Sequence, residues 1–389
     1  DFDHTDPTWV ENPYPIWEEL RGSCPIAHSE RYGGTWLPTR HEDVSAIAYD
    51  SEHFSSRAVI VSNRKPPLEL APAGGIPPIS SDPPFHHEAR RLLLPAFSPQ
   101  RVARYEDSTR AYCHGLIDAI QAGGSSRVDA ATEYAQHIPV RVITDMLGFP
   151  PEDGDLFRKF IHHALEGVNN PLADRITGFE EIFEYLRTQI FDHIENPRDD
   201  LTTFLLETHT EESGINLPRV AGSVALILIA GIDTTWSAIG SSIWHLAGHP
   251  ADRERLVAEP ALLPTAMEEF LRAYAPVTMA RLVTKDMEWK GCPMKADDWI
   301  LLSFPAANRD PEFFERADEV ILDRQANRHA AFGLGPHRCL GSHLARMELR
   351  VALEVWLERV PSFELDPAAE TKWSAGQIRG PRSLPILLG

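Results

Sequence analysis

His329-Ala330-Ala331-Phe332-Gly333-Leu334-Gly335-Pro336-His337-Arg338-Cys339-Leu340-Gly341 is a glycine- and proline-rich loop that runs straight into an amphipathic stretch. Leu340, Leu344, Met347, Val351 and Val355 follow at three- and four-residue steps, the apolar stripe of a helix packed on a core. Cys339 sits where that helix is expected to begin. A thiol at a helix N-terminus meets partial positive charge and free backbone N–H groups, which stabilise the thiolate. Gly335 and Gly341 are expected to let the backbone close around the sulfur with no Cβ in the way. Taken alone, a buried free cysteine is a small hydrophobe; the spacing around this one supports a second reading.

Composition sets the outer limits. The chain has 389 residues, 43% hydrophobic and 24% charged, with 37 Lys plus Arg against 57 Asp plus Glu and a net charge of −20. Such an acidic balance argues against nucleic acid or an anionic membrane as a general partner. Cys24, Cys113, Cys292 and Cys339 are scattered, with no C-x-x-C and no H-E-x-x-H, which fits a reducing, cytoplasmic setting. The longest apolar run, Val224 to Ile232, is nine residues, short of the roughly 20 that span a bilayer. The acidic start, Asp1 to Asp6, carries no signal-peptide pattern.

Along the chain, 1–55 reads as a small β region with helices at Pro13 to Leu20 and Glu42 to Tyr49, and a hairpin over Tyr32 to Leu37. Residues 56–81 are irregular and proline-rich but carry apolar side chains, among them Val59, Ile76 and Ile79; a loop of that length is functional or simply flexible. Asp82-Pro83-Pro84-Phe85-His86 opens a helix, with Asp82 as its expected cap. His86 and Arg90 share a face of that helix, while Arg91 belongs to a solvated basic face. Arg101 to Phe191 reads as several amphipathic helices. The adjacent His162 and His163 point different ways on a helix and suggest metal only weakly.

The longest helix is expected from Pro218 to about Ala247, closed by Gly248 and Pro250. Its centre, Ala230-Gly231-Ile232-Asp233-Thr234-Thr235, places poor helix formers and an acid in the most apolar run of the protein. A hydroxyl at Thr234 can bond the Ala230 carbonyl and bend the helix, so a tolerated kink and a functional break are both open. Further on, Glu269 and Arg272 form an i, i+3 pair, which on a surface would contribute little. Pro276 to Arg281 is strand-like, and Gly376 to Pro385 reads as a closing hairpin.

Together these stretches resemble the cytochrome P-450 superfamily along nearly the whole chain. Phe332, Gly335, Cys339 and Gly341 match its F-x-x-G-x-x-x-C-x-G haem loop; Ala230 to Thr234 match A-G-x-[DE]-T; Asp82 to Arg90 match D-P-P-x-H-x-x-x-R; Glu269 to Arg272 match E-x-x-R. The resemblance implies one mainly α domain over 1–389, with a minor β portion at about 1–55, 276–305 and 365–389. Haem b would lie between the central helix and the cysteine-loop helix. It further implies Cys339 as axial iron ligand, with His86, Arg90, Ala230, Arg281, Phe332, His337 and Gly341 around the cofactor. Asp233 and Thr234 become the proton-delivering acid–alcohol pair. Ile76, Ile79, Val277, Thr278, Met279, Gln377 and Ile378 line the substrate pocket, and Glu269 with Arg272 prop the loop structurally.

The activity implied is that of a soluble bacterial haem-thiolate monooxygenase. One atom of O₂ enters a small hydrophobic substrate, and thiolate ligation favours O–O cleavage. A peroxygenase, a non-redox haem-thiolate enzyme and a haem-based gas sensor are the alternatives; the first two have less need of a proton relay, and a sensor less need of a substrate roof. With no flavin or iron–sulfur segment in view, electrons are expected from an acidic ferredoxin, or less readily a flavodoxin, with its reductase, meeting a monomer. Residues 324–350 carry a net +4 and 86–110 a net +2 in an otherwise acidic chain. Arg338 and Arg104 are therefore expected at the docking face.

Overall fold

The computed structural model describes residue 3 and residues 6–24, 26–62, 76–161, 172–211, 214–374 and 376–389. His162 and His163, and residues 63–75 of the proline-rich loop, lie outside them. The architecture is mainly α, with small sheets at the edges of a helical body.

The central helix runs Leu217–Gly248. Its start is fixed by Asn216, whose side chain accepts from the Arg219 N–H at 3.1 Å, and by a proline in the first turn. Thr234 Oγ donates to the Ala230 carbonyl at 2.8 Å, as the spacing predicts. The helix nonetheless continues unbroken through Asp233 and Thr234, so the expected break is absent. A Cβ at Gly231 would meet the Ile143 side chain, so this glycine permits close approach of helix His137–Leu147. By length and composition the central helix could cross a membrane, but 56% of its most apolar window is buried. Val224, Leu228, Ile232, Ile239 and Ile243 are all in the core, so its apolarity is that of a core helix.

The cysteine-loop helix, Ser342–Arg359, packs on the central helix and on Glu106–Ala122. It begins after Gly341, so Leu340 precedes it, while Leu344, Met347, Val351 and Val355 are buried as their spacing predicts.

The main sheet has five strands in the order Ile26–Ser29, Thr35–Pro38, Trp299–Ser303, Thr278–Val283, Phe54–Ser55. The first two form a hairpin that begins earlier than the Tyr32 to Leu37 expected, with Arg31–Gly33 in its turn; the second and third strands are parallel, and the others antiparallel. It thus joins the β portions expected near 1–55 and 276–305. In the third portion Pro385–Leu388 lies between Phe363–Leu365 and Arg127–Asp129, and Lys372–Trp373 pairs with Pro381–Ser383 as the closing hairpin. Arg127–Asp129 falls in a stretch read as helical; three residues are too few for alternation to show.

Asp82 corrects another expectation. Helix Phe85–Leu93 has Pro84 at its N-cap and no side-chain cap. The Asp82 carbonyl accepts the His86 N–H at 3.0 Å. Its carboxylate accepts from Ser55 Oγ at 2.5 Å and from the Ser56 N–H at 2.8 Å, tying this helix to the sheet.

Candidate active site

The cysteine loop is closed by its own backbone: the Cys339 N–H donates to the Phe332 carbonyl at 2.7 Å, and the Arg338 N–H to the Gly335 carbonyl at 3.1 Å. Gly335 has φ +69°, and a Cβ there would collide with the Ala48 carbonyl. Its freedom therefore serves packing on helix His41–Tyr49, not room for the sulfur. Gly341 differs as well. Its φ is −81°, and a Cβ would rest 4.0 Å from Cys339 Sγ, an ordinary contact.

Cys339 presents accessible surface yet is deep enough that burial raises its thiol pKa; the Gly341 N–H and the Arg90, Arg338 and Arg346 charges pull the other way without prevailing. Coordination to a metal ion deprotonates a thiol outright.

Behind the loop stands Glu268. It accepts from Arg346 Nε at 2.6 Å and lies 2.9 Å from His329 Nε2, while the Arg346 guanidinium sits 4.3 Å over the Phe332 ring. Burial opposes ionisation of Glu268, but the hydrogen bonds from Arg346 and His329 win and bring its pKa down to about 2. Glu268 is a supporting residue that the sequence reading missed; its signal lay one position before the E-x-x-R motif.

That motif is no surface pair. Glu269 and Arg272 are fully buried and bonded at 2.8 Å on both carboxylate oxygens. Arg272 also donates to the carbonyls of Asn308, Ala317 and Glu319, and Glu269 accepts from Arg324, Asn327 and the Ile321 N–H. The pair pins the irregular segment 308–327 that leads into the cysteine loop.

His86, Arg90, Arg281 and His337, distant in sequence, gather beside the loop. The His86 and His337 rings lie 4.1 Å apart, and Arg90 Nη2 donates to the Arg338 carbonyl at 2.6 Å. His337 Nε2 is 3.0 Å from Ser56 Oγ. Burial, then neighbouring positive charge, pushes His86 down to about 4 and His337 down to about 2; burial brings Arg281 down to about 10.

On the other side, the closing hairpin meets the strand at 278. Ile378 bridges Val277, the Thr278 N–H donates to the Gln377 carbonyl at 2.8 Å, and the Gln377 amide donates to the Val59 carbonyl. Met279 Sδ is 3.9 Å from the Gln377 amide. Five of the seven expected pocket residues are therefore joined, while Ile76 and Ile79 lie half-buried in the turn ahead of Phe85. Ala230 has accessible surface in the middle of the central helix, and Thr234 lies one turn on, half-buried.

A sequence profile described as cytochrome P450 matches residues 154–374. The chain is 32% identical to the mycinamicin IV hydroxylase/epoxidase of Micromonospora griseorubida over 377 residues, 95% of this chain and 94% of that protein. It belongs to the cytochrome P450 family. The nocardicin C N-oxygenase of Nocardia uniformis subsp. tsuyamanensis is a similar relative, 34% identical over 96% of this chain and 95% of its own. Among solved structures, the bacillaene polyketide synthase cytochrome P450 of Bacillus subtilis superposes with a TM-score of 0.88 at 29% identity, covering all of both chains. An epothilone D-bound cytochrome P450 gives 0.89 at 28% identity, over 100% of this chain and 99% of that one.

The family's cofactor is haem b and its chemistry oxidative, so this P450 is a monooxygenase. Its own residues fit that cofactor. Both ring nitrogens of His86 are buried without a hydrogen-bond partner among the described residues, in a cluster of four basic groups. Such a place suits anionic carboxylates, whose charge-assisted hydrogen bonds offset desolvation.

The basic segments of this P450 are less free than their charge count implies. Arg324 and Arg346 are taken up by Glu269 and Glu268, and Arg350 and Arg110 by Glu106 and Glu354. Arg91 and Arg338 stay exposed, and Arg101 and Arg104 share Asp199 at 3.7 and 3.5 Å.

Proposed function

We propose that this P450, one haem domain over 1–389, hydroxylates or epoxidises a small, neutral, hydrophobic substrate as a cytoplasmic monomer, taking electrons from a separate acidic ferredoxin. The observation that carries the reading is the group of His86, Arg90, Arg281 and His337 beside the Cys339 loop, with His86 and Arg281 buried and the other two half-buried. Its place next to a thiol suits both ends of one ligand, carboxylates and metal. Haem b, when bound, supplies O₂ activation and insertion of one oxygen atom, the other leaving as water.

Cys339 would supply the thiolate ligand, and the basic group would hold the propionates. Thr234, whose hydroxyl is anchored on the Ala230 carbonyl, and Asp233 would move protons to the distal side. Val277, Met279 and Ile378 would give the substrate an apolar wall. Arg57 is engaged by Asp297, which supports a neutral substrate over a carboxylate. Exposed Arg338, Arg91, Arg101 and Arg104 would steer an acidic donor.

The test is turnover with NADH, a ferredoxin and its reductase under ¹⁸O₂, screening compounds that shift the haem absorption. One labelled oxygen in the product, with NADH consumed in proportion, is the expected result. Product formed only from added peroxide would indicate a peroxygenase, and ligand binding without any product a sensor.

A further inference from the structure

The strand that follows the substrate-facing turn also reaches the relay acid. Pro381–Ser383 lies against the central helix: a Cβ at Gly380 would collide with Ser237, and one at Gly240 would come within 3.2 Å of Pro381. This contact delivers Arg382. Its Nη2 stands 2.8 Å from Oδ1 and 2.9 Å from Oδ2 of Asp233, and Nη1 donates to Ser237 Oγ at 3.3 Å. The guanidinium lies 4.5 Å over the Trp236 ring. Asp233 is 1% exposed and the Arg382 side chain 16%, so the pair is shielded from water and weakly screened.

A buried carboxylate without a counter-charge takes up a proton instead of remaining ionised. Asp233 sits in the most apolar part of the core helix, between Ile232 and Thr234. The hairpin supplies a guanidinium that favours its charged form. Aromatic packing, the Ser237 hydroxyl and two close carboxylate contacts fix the guanidinium in one orientation, which favours arginine over lysine at such a site.

We propose that Arg382 is the positioning residue of the proton relay: it holds Asp233 as an oriented carboxylate that must part from the guanidinium to accept a proton from water and release it again. One proton enters and one leaves at the Asp233 carboxylate, so the step balances there. Because Gln377 and Ile378 lie on the same hairpin, the latch is continuous with the wall of the substrate pocket. The role of Asp233 as relay acid rests on the function proposed above; the ionic state that Arg382 imposes on it does not.

The test is infrared difference spectroscopy of the haem-loaded protein at neutral pH, with the Asp233 signal assigned by its loss in Asp233→Asn. Wild type should show Asp233 as carboxylate. Arg382→Met should show a protonated carboxyl band that Asp233→Asn removes, and Arg382→Lys should restore the carboxylate in part. Arg382→Gln, which keeps a donor but no charge, serves in place of the methionine variant if that fails to fold. An ionised Asp233 in the uncharged variants overturns the proposal. Steady-state coupling is measured alongside: loss of coupling in Arg382→Met with partial recovery in Arg382→Lys is expected, whereas coupling that both variants keep in full overturns the positioning role. Full coupling in Asp233→Asn itself would instead sink the relay reading and leave the infrared result standing.

Discussion

The His86 and His337 rings lie 4.1 Å apart with both nitrogens of His86 unpartnered, and Arg281 is buried beside them at 4% exposure. The two guanidiniums are partly desolvated beside neutral imidazoles that can still donate hydrogen bonds, so the arrangement gains when carboxylates join it. Arg281→Met should therefore speed haem transfer to an apo-globin acceptor by about ten- to a hundredfold, the range of one charge-assisted hydrogen bond. Haem with esterified propionates should erase the difference between variant and wild type. Equal loss rates with native haem would remove Arg281 from the cofactor site.

Arg272→Ala should destabilise the protein by about 3–5 kcal/mol in urea unfolding, because Glu269 would remain buried with only part of its compensation. Arg272→Lys should recover little. A single ammonium cannot reproduce the guanidinium bonds to both Glu269 oxygens and three carbonyls. A change under about 1 kcal/mol would mean that the pair behaves like a surface ion pair.

Thr234→Ala should leave spectral binding of an azole inhibitor unchanged while lowering coupled product formation by roughly 10²–10⁴, the usual cost of removing a positioned proton-transfer group. The missing electrons should appear as hydrogen peroxide. Because the Thr234 hydroxyl bonds, among the described residues, its own helix carbonyl alone, helix stability should hardly change. Undiminished coupling would leave Thr234 with a local role alone.

Much of this was legible in sequence. The spacing of Phe332, Gly335, Cys339 and Gly341 located the loop, and the apolar run of the central helix located the core, because local chemistry and short periodicity carry both. Contacts between distant segments were not legible. Nothing in Glu268 or Arg382 alone indicates that one braces His329 and Arg346 and the other meets Asp233. Asp82 looked like a helix cap because its neighbours are prolines, and tertiary bonds to Ser55 and Ser56 took its carboxylate instead. The local charge count misled for the same reason, since Arg324, Arg346 and Arg350 are already paired.

Arg338 is exposed with its carbonyl held by Arg90, so its side chain faces solvent where a donor can meet it while the loop stays fixed. Arg338→Glu should slow reduction by an acidic ferredoxin without altering azole affinity. The defect should shrink as salt rises, because the Debye length is about 8 Å at 0.15 M. Indifference to both charge reversal and ionic strength would place the donor on another face.

The central claim is that Cys339 is the thiolate ligand of haem iron, and the carbon monoxide spectrum of the reduced protein tests it most directly. Wild type should give the long-wavelength absorption band that thiolate ligation produces. Cys339→His, with haem content confirmed separately, should bind carbon monoxide yet lose that band. The same long-wavelength band in Cys339→His would contradict the account.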